Sequence, residues 1–83
     1  MGKYDPLHRF LASAPAHMDT FTLSFQQIEQ LLGDLLPDSA RRLLGWWANE
    51  TRPGTEPQAK SWLAAGWQVD VVDRPGEWVR FRL

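Results

Sequence analysis

The sequence predicts a small α+β domain of winged-helix-like order over residues 1–83: helix, strand, helix, short helix, loop, helix, β-hairpin. Three observations carry that expectation. A capping box at Ser24-Phe25-Gln26-Gln27 starts a helix directly after the β-rich run "TFTLS". A second box, Thr55-Glu56-Pro57-Gln58, starts another. The closing stretches "WQVDVVD" and "EWVRFRL" alternate with a period of two around Arg74-Pro75-Gly76-Glu77.

Each element follows from local chemistry. Asp5 is a good N-cap and Pro6 suits the first helical position, where its missing N–H is no loss. Leu7, Phe10, Leu11 and Ala14 keep helical spacing, and Pro15 stops the helix. After the strand at 20–24, Leu23 and Ile28 can staple the capped helix, and Phe25, Ile28, Leu31 and Leu32 make its apolar stripe. Gly33 is placed to end it in a left-handed conformation. Leu35 and Leu36 are expected to be buried. Pro37-Asp38 begins a third, short helix through about Leu44, which Gly45 ends, and "WWANETRPG" is expected to be extended or irregular. Ala59, Trp62 and Leu63 form the inward stripe of the fourth helix. Gly66 ends that helix, and Trp67 packs back onto Trp62 as in a Schellman motif.

The hairpin should turn through a type II turn with Pro75 and Gly76 at its centre. One face carries Trp67, Val69, Val71, Val79, Phe81 and Leu83 and should be core. The other carries Gln68, Asp70, Trp78, Arg80 and Arg82. The first strand should pair with this hairpin. The stretch from Asp34 to Gly54 is far longer than the 3–4-residue turn of a helix-turn-helix.

A chain of 83 residues makes one domain. Such a chain buries only about 60–65% of its unfolded surface, so bulky side chains must build the core. Five Trp, four Phe and one Tyr meet that need. The absence of cysteine excludes disulfides, a thiol nucleophile and Cys-based zinc sites, and suits a reducing cytoplasm, the expected location. No apolar run is long enough to span a membrane, and "MGKYDPLHRF" lacks the apolar segment of a signal peptide. Pro6 also spoils a myristoylation signal. Net charge is −1, yet it is unevenly spread. Residues 1–38 hold two basic and five acidic side chains, and residues 39–83 hold seven and five. An anionic partner would prefer the second half.

Catalysis has no signature here. His8 and His17 lack metal-ligand spacing, and no Gly-rich phosphate loop, nucleophile elbow or carboxylate pair is present. His8 stands one turn after Asp5, so a contact within the helix is its simplest role. A non-enzymatic domain without metal or cofactor is expected. On a winged-helix reading the default partner is DNA, by analogy of fold. The fourth helix would then offer Gln58, Lys60 and Ser61 outward, with Gln suited to adenine and Lys to guanine or phosphate. The hairpin would offer Arg80 and Arg82 to neighbouring phosphates, with Trp78 beside them for stacking. The third candidate is Arg41, Arg42, Trp46, Trp47, Asn49 and Arg52, basic and aromatic residues interleaved as in single-strand binders. One of Trp46 and Trp47 should be buried and the other partly exposed, since neighbours in extended chain point to opposite sides. The alternative is a protein-interaction module, such as a homodimer or a phage-encoded inhibitor of a nucleic-acid-binding protein, because Trp and Arg also dominate protein hot spots.

The stretches "KYDPL…FL", "TLSFQQIEQLLGDLLPDSAR", "WWAN" and "QAKSWLAAGWQVDVVD" cover nearly the whole chain. They resemble a family of small bacterial domains of unknown function, with the pattern "YDPLYxYL…LTFxxIExxLGxxLPxSAR…WWANDxxHSQAxAWLxAGW". The resemblance implies an α+β domain that occurs alone or beside other modules. The sequence departs from the pattern at "HSQA", where "GTEPQA" follows a longer loop and the His is missing.

Overall fold

The computed structural model describes residues 2–15, 17–53 and 56–83. Among them are four α-helices and three strands, in the order α1 (Asp5–Ala12), β1 (Thr20–Ser24), α2 (Phe25–Leu32), α3 (Asp38–Arg42), a 3-10 turn (Leu44–Trp47), α4 (Glu56–Leu63), β2 (Gln68–Asp73) and β3 (Trp78–Arg82). β1 pairs antiparallel with β3, and β3 with β2, so the sheet order is β1-β3-β2. α1 packs against both α2 and α4.

The α2 signals act as expected. Ser24 Oγ accepts from the Gln27 N–H at 3.0 Å, and Gln27 Oε1 accepts from the Ser24 N–H at 2.8 Å. Such a cap contributes about 1 kcal/mol. Gly33 closes α2 at φ 71°. α4 closes through Gly66 at φ 87°, with the Trp67 N–H bonded to Trp62 O at 2.9 Å and the Gly66 N–H to Leu63 O at 3.0 Å. That pair of bonds is a Schellman ending. The box proposed at Thr55 lies outside the described residues.

Some local expectations fail for physical reasons. Asp5 is the first residue of α1 rather than its cap, and its carboxylate accepts from the Gly2 N–H at 2.9 Å. α1 stops at Ala12, where Ser13 bonds Arg9 O through both its N–H and its hydroxyl. His8 reaches across to α4, with Nδ1 3.0 Å from Ser61 O, instead of contacting Asp5. At the hairpin, the positive φ falls on Glu77 (57°) and not on Gly76, so the turn is not type II. Glycine serves there because a Cβ on Gly76 would lie 2.9 Å from Trp78 Nε1 and 3.1 Å from Asp73 Cγ.

The hairpin register also departs from strict alternation. Val69 opposes Phe81, but Val71 opposes Arg80 and Val72 opposes Val79. Asp70 is the extra residue of a β-bulge, and one extra residue moves all later side chains to the other face. Val72, expected outside the core face, packs on the core, and Val71 shares the outer face with Arg80. Leu83, also placed on the core face by sequence, is exposed.

Four of the five tryptophans, Trp46, Trp47, Trp62 and Trp67, help build the core. Trp47 lies between Phe25 (centroids 5.3 Å, planes 14° apart) and Trp62 (6.0 Å, 18°), and Trp62 continues to Phe81 at 5.8 Å. Trp46 meets Trp47 edge-on at 4.6 Å and Tyr4 at 6.0 Å. This series ties α2, the 3-10 turn, α4 and β3 into one column, each pair worth about 0.5–1.5 kcal/mol beyond its buried area. The expectation that Trp46 or Trp47 would be exposed is overturned: both are buried. In a 3-10 turn, successive side chains are about 120° apart, not opposed as in extended chain, so both rings can face inward. Leu36 is buried as expected, but Leu35 is 72% exposed.

Candidate functional site

The structure sorts the residues that the sequence singles out. Trp47 is buried, and its indole N–H donates to Ala40 O at 2.8 Å. Gln58, expected to face outward, is 3% exposed and donates from Nε2 to Trp46 O at 3.2 Å. Ser61 is also buried, with its hydroxyl bonded to Gln58 O. The 34–53 stretch causes the first of these reversals, because its 3-10 turn lies against α4 and supplies the carbonyl that Gln58 needs. Of the outward trio on α4, Lys60 alone is exposed.

Asn49 has a structural task. Its Nδ2 donates to Val69 O at 2.9 Å, and its Oδ1 accepts from the Val69 N–H at 2.8 Å and from Trp62 Nε1 at 3.0 Å. Arg41 bridges elements likewise: Nε to Glu77 at 3.0 Å, Nη2 to Glu29 at 3.1 Å, and the guanidinium over Phe25 at 5.6 Å. Partial burial disfavours its charge, but the hydrogen bonds to Glu77 and Glu29 outweigh that and hold its pKa above the ordinary range. Arg80 Nε lies 3.0 Å from Asp70 and Arg82 Nε 3.8 Å from the same carboxylate. The bulge at Asp70 turns one carboxylate toward both arginines. Trp78 is half-buried beside Gly76.

Three further arginines, Arg42, Arg52 and Arg74, meet at the end of α3. α3 is short because Leu43 is extended (φ −120°, ψ 115°), after which the 3-10 turn begins. With Trp46 and Trp47 inward, Leu43 and Leu44 are left outside, 59% and 57% exposed. With Trp46 and Pro53 they line an open groove of about 730 Å³, and Arg42, Arg52 and Arg74 stand around it. Arg74 donates to Arg42 O at 2.7 Å, which fixes the hairpin turn against α3. Arg42 pairs with Asp38 at 3.4 Å and Arg52 with Glu50 at 3.4 Å, all four side chains more than half exposed. Such exposed pairs are worth about 0–1 kcal/mol each, so an incoming carboxylate can displace them. The sequence reading found Arg42 and Arg52 but missed Arg74, Leu43 and Leu44. Two adjacent leucines closing a five-residue helix beside two arginines were the available signal.

A second concavity of about 360 Å³ lies between the start of α1 and α4, with Lys3, Asp5, His8 and Lys60 on its walls. Among the described residues, no three His, Asp or Glu side chains gather as a metal site, and no helix is long and apolar enough to cross a membrane.

Fold and groove thus define a small α+β domain with a cationic, apolar-lined surface. The chain belongs to the family described as "Domain of unknown function (DUF7662)", whose model matches residues 4–83. No curated protein and no solved structure matches it.

Proposed function

We propose that the domain is a non-enzymatic, cytoplasmic protein-interaction module whose docking surface is the groove at the end of α3. The observation that carries this reading is the pairing of exposed Leu43 and Leu44 with Arg42, Arg52 and Arg74 around one open concavity. Apolar lining and arginine rim together suit a segment that carries both apolar and acidic side chains. The groove presents leucines and a largely buried Trp46, so it offers little aromatic face on which a nucleic-acid base could stack. Selection from a displayed random-peptide library tests this. Acidic, apolar-bearing peptides should be enriched on the native domain and lost on Leu44→Asp. Enrichment that ignores this substitution, or none at all, overturns the reading.

DNA binding by a winged-helix-like domain is the second reading. It is favoured by the outward placement of Arg80 and Arg82 beside Trp78 on a hairpin joined to β1 in the order β1-β3-β2. Fluorescence anisotropy with duplex and single-stranded DNA should then show binding at about 50 mM salt that weakens as salt rises. No binding at low salt rejects it.

A further inference from the structure

We propose that the groove is filled by a second copy of this chain, through the exposed loop segment around Leu35. The inference rests on the interaction reading above and names its partner. Leu35 is 72% exposed, and Asp34 and Asp38 flank it with side chains 65% and 82% exposed. This is a leucine between two carboxylates. The groove at the other end of α3 is its complement: leucines between arginines. Among the described residues, three of the four large exposed apolar side chains, Leu35, Leu43 and Leu44, lie at the two ends of one helix.

The spacing suits a two-fold arrangement. Five helical residues span only about 7.5 Å, so the two ends of α3 lie close together. When two copies face each other with α3 antiparallel, the knob of one meets the groove of the other, and the reverse contact forms by symmetry. Inside one chain the ion pairs of these charges are exposed. Asp34 accepts from the Leu35 N–H at 2.8 Å and faces Lys3 at 3.7 Å, and Asp38 faces Arg42 at 3.4 Å, both pairs in water. Docking covers the leucines and brings each acidic loop against an arginine rim. A foreign acidic peptide would fill the groove but leave Leu35 exposed; the self-docked pair accounts for both.

Charge exchange tests this. Sedimentation velocity and light scattering from micromolar to sub-millimolar concentration should show a native dimer. Asp34→Lys/Asp38→Lys and Arg42→Glu/Arg52→Glu should each weaken it about a hundredfold, since every change is felt twice in a two-fold interface. All four positions are exposed, and circular dichroism checks that both variants fold. Mixed one to one, the two variants should form a heterodimer, because Lys knob then meets Glu groove and Asp knob meets Arg groove. A native monomer throughout, a dimer that survives both variants, or a mixture that stays monomeric overturns the proposal. If the native chain is a monomer yet selected peptides still need Leu44, self-docking falls and the interaction reading stands.

Discussion

Replacing Asn49 separates a binding role from a structural one. Asn49→Ala removes three hydrogen bonds, two to Val69 and one from Trp62 Nε1. A typical bond is worth about 0.5–1.5 kcal/mol net, and an orphaned buried donor costs about 1–3 kcal/mol. Trp62 is fully buried, but Asn49 itself is exposed, so water can reach part of what the truncation leaves. The low half of the range therefore applies, about 2 kcal/mol. For a domain of this size that corresponds to a fall in Tm of roughly 8–16 °C. Urea unfolding followed by tryptophan fluorescence reads it, with an unchanged m-value showing that the unfolded state is not affected. Asn49→Asp is the control: it keeps the acceptor for Trp62 and Val69 N–H but sets a second acceptor against Val69 O, so it too should destabilise. A loss below about 0.5 kcal/mol for Asn49→Ala, the level of an ordinary surface change, would refute the clamp and return Asn49 to the list of contact residues.

Two further outcomes are expected. Asp70→Asn should cost less than about 1 kcal/mol, since Arg80, Arg82 and Asp70 are all partly exposed; if the hairpin grips DNA, the same change should tighten binding at low salt, and anisotropy would show it. Tyr4 is held above the usual phenol range by burial and then by Asp34. Its folded form keeps the proton after the unfolded form has lost it, so Tm should fall as pH rises past the ordinary Tyr pKa of 10.0, and Tyr4→Phe should flatten that fall.

The elements that sequence made legible are those governed by neighbours in the chain. Ser24 and Gln27 specify their own helix start, and Gly33 and Gly66 mark helix ends that only a left-handed residue can make. Beyond the local misreadings at Asp5, Ser13 and Gly76, the larger failures concern non-local partners. Gln58 reads as a surface residue until Trp46 O is brought to it from twelve positions away. Val71 and Val72 exchange faces because period-two reasoning assumes an unbroken ladder, and nothing in "QVDVVD" announces a bulge at Asp70. Much of the family-like motif proves to be architecture: Trp47, Asn49, Gln58 and Trp67 hold one another's loops and helices. The groove was harder to see, because Leu43, Arg52 and Arg74 converge only after the chain has folded.

The Asn49 side chain does to β2 what a peptide unit of a fourth strand would do: its amide engages both the N–H and the C=O of Val69 on the strand's outer border. At the next residue the bulge breaks the regular spacing that an added strand requires. The β2 edge is thereby blunted at Val69 and Asp70 against templated growth, by aggregates and strand-donating peptides alike.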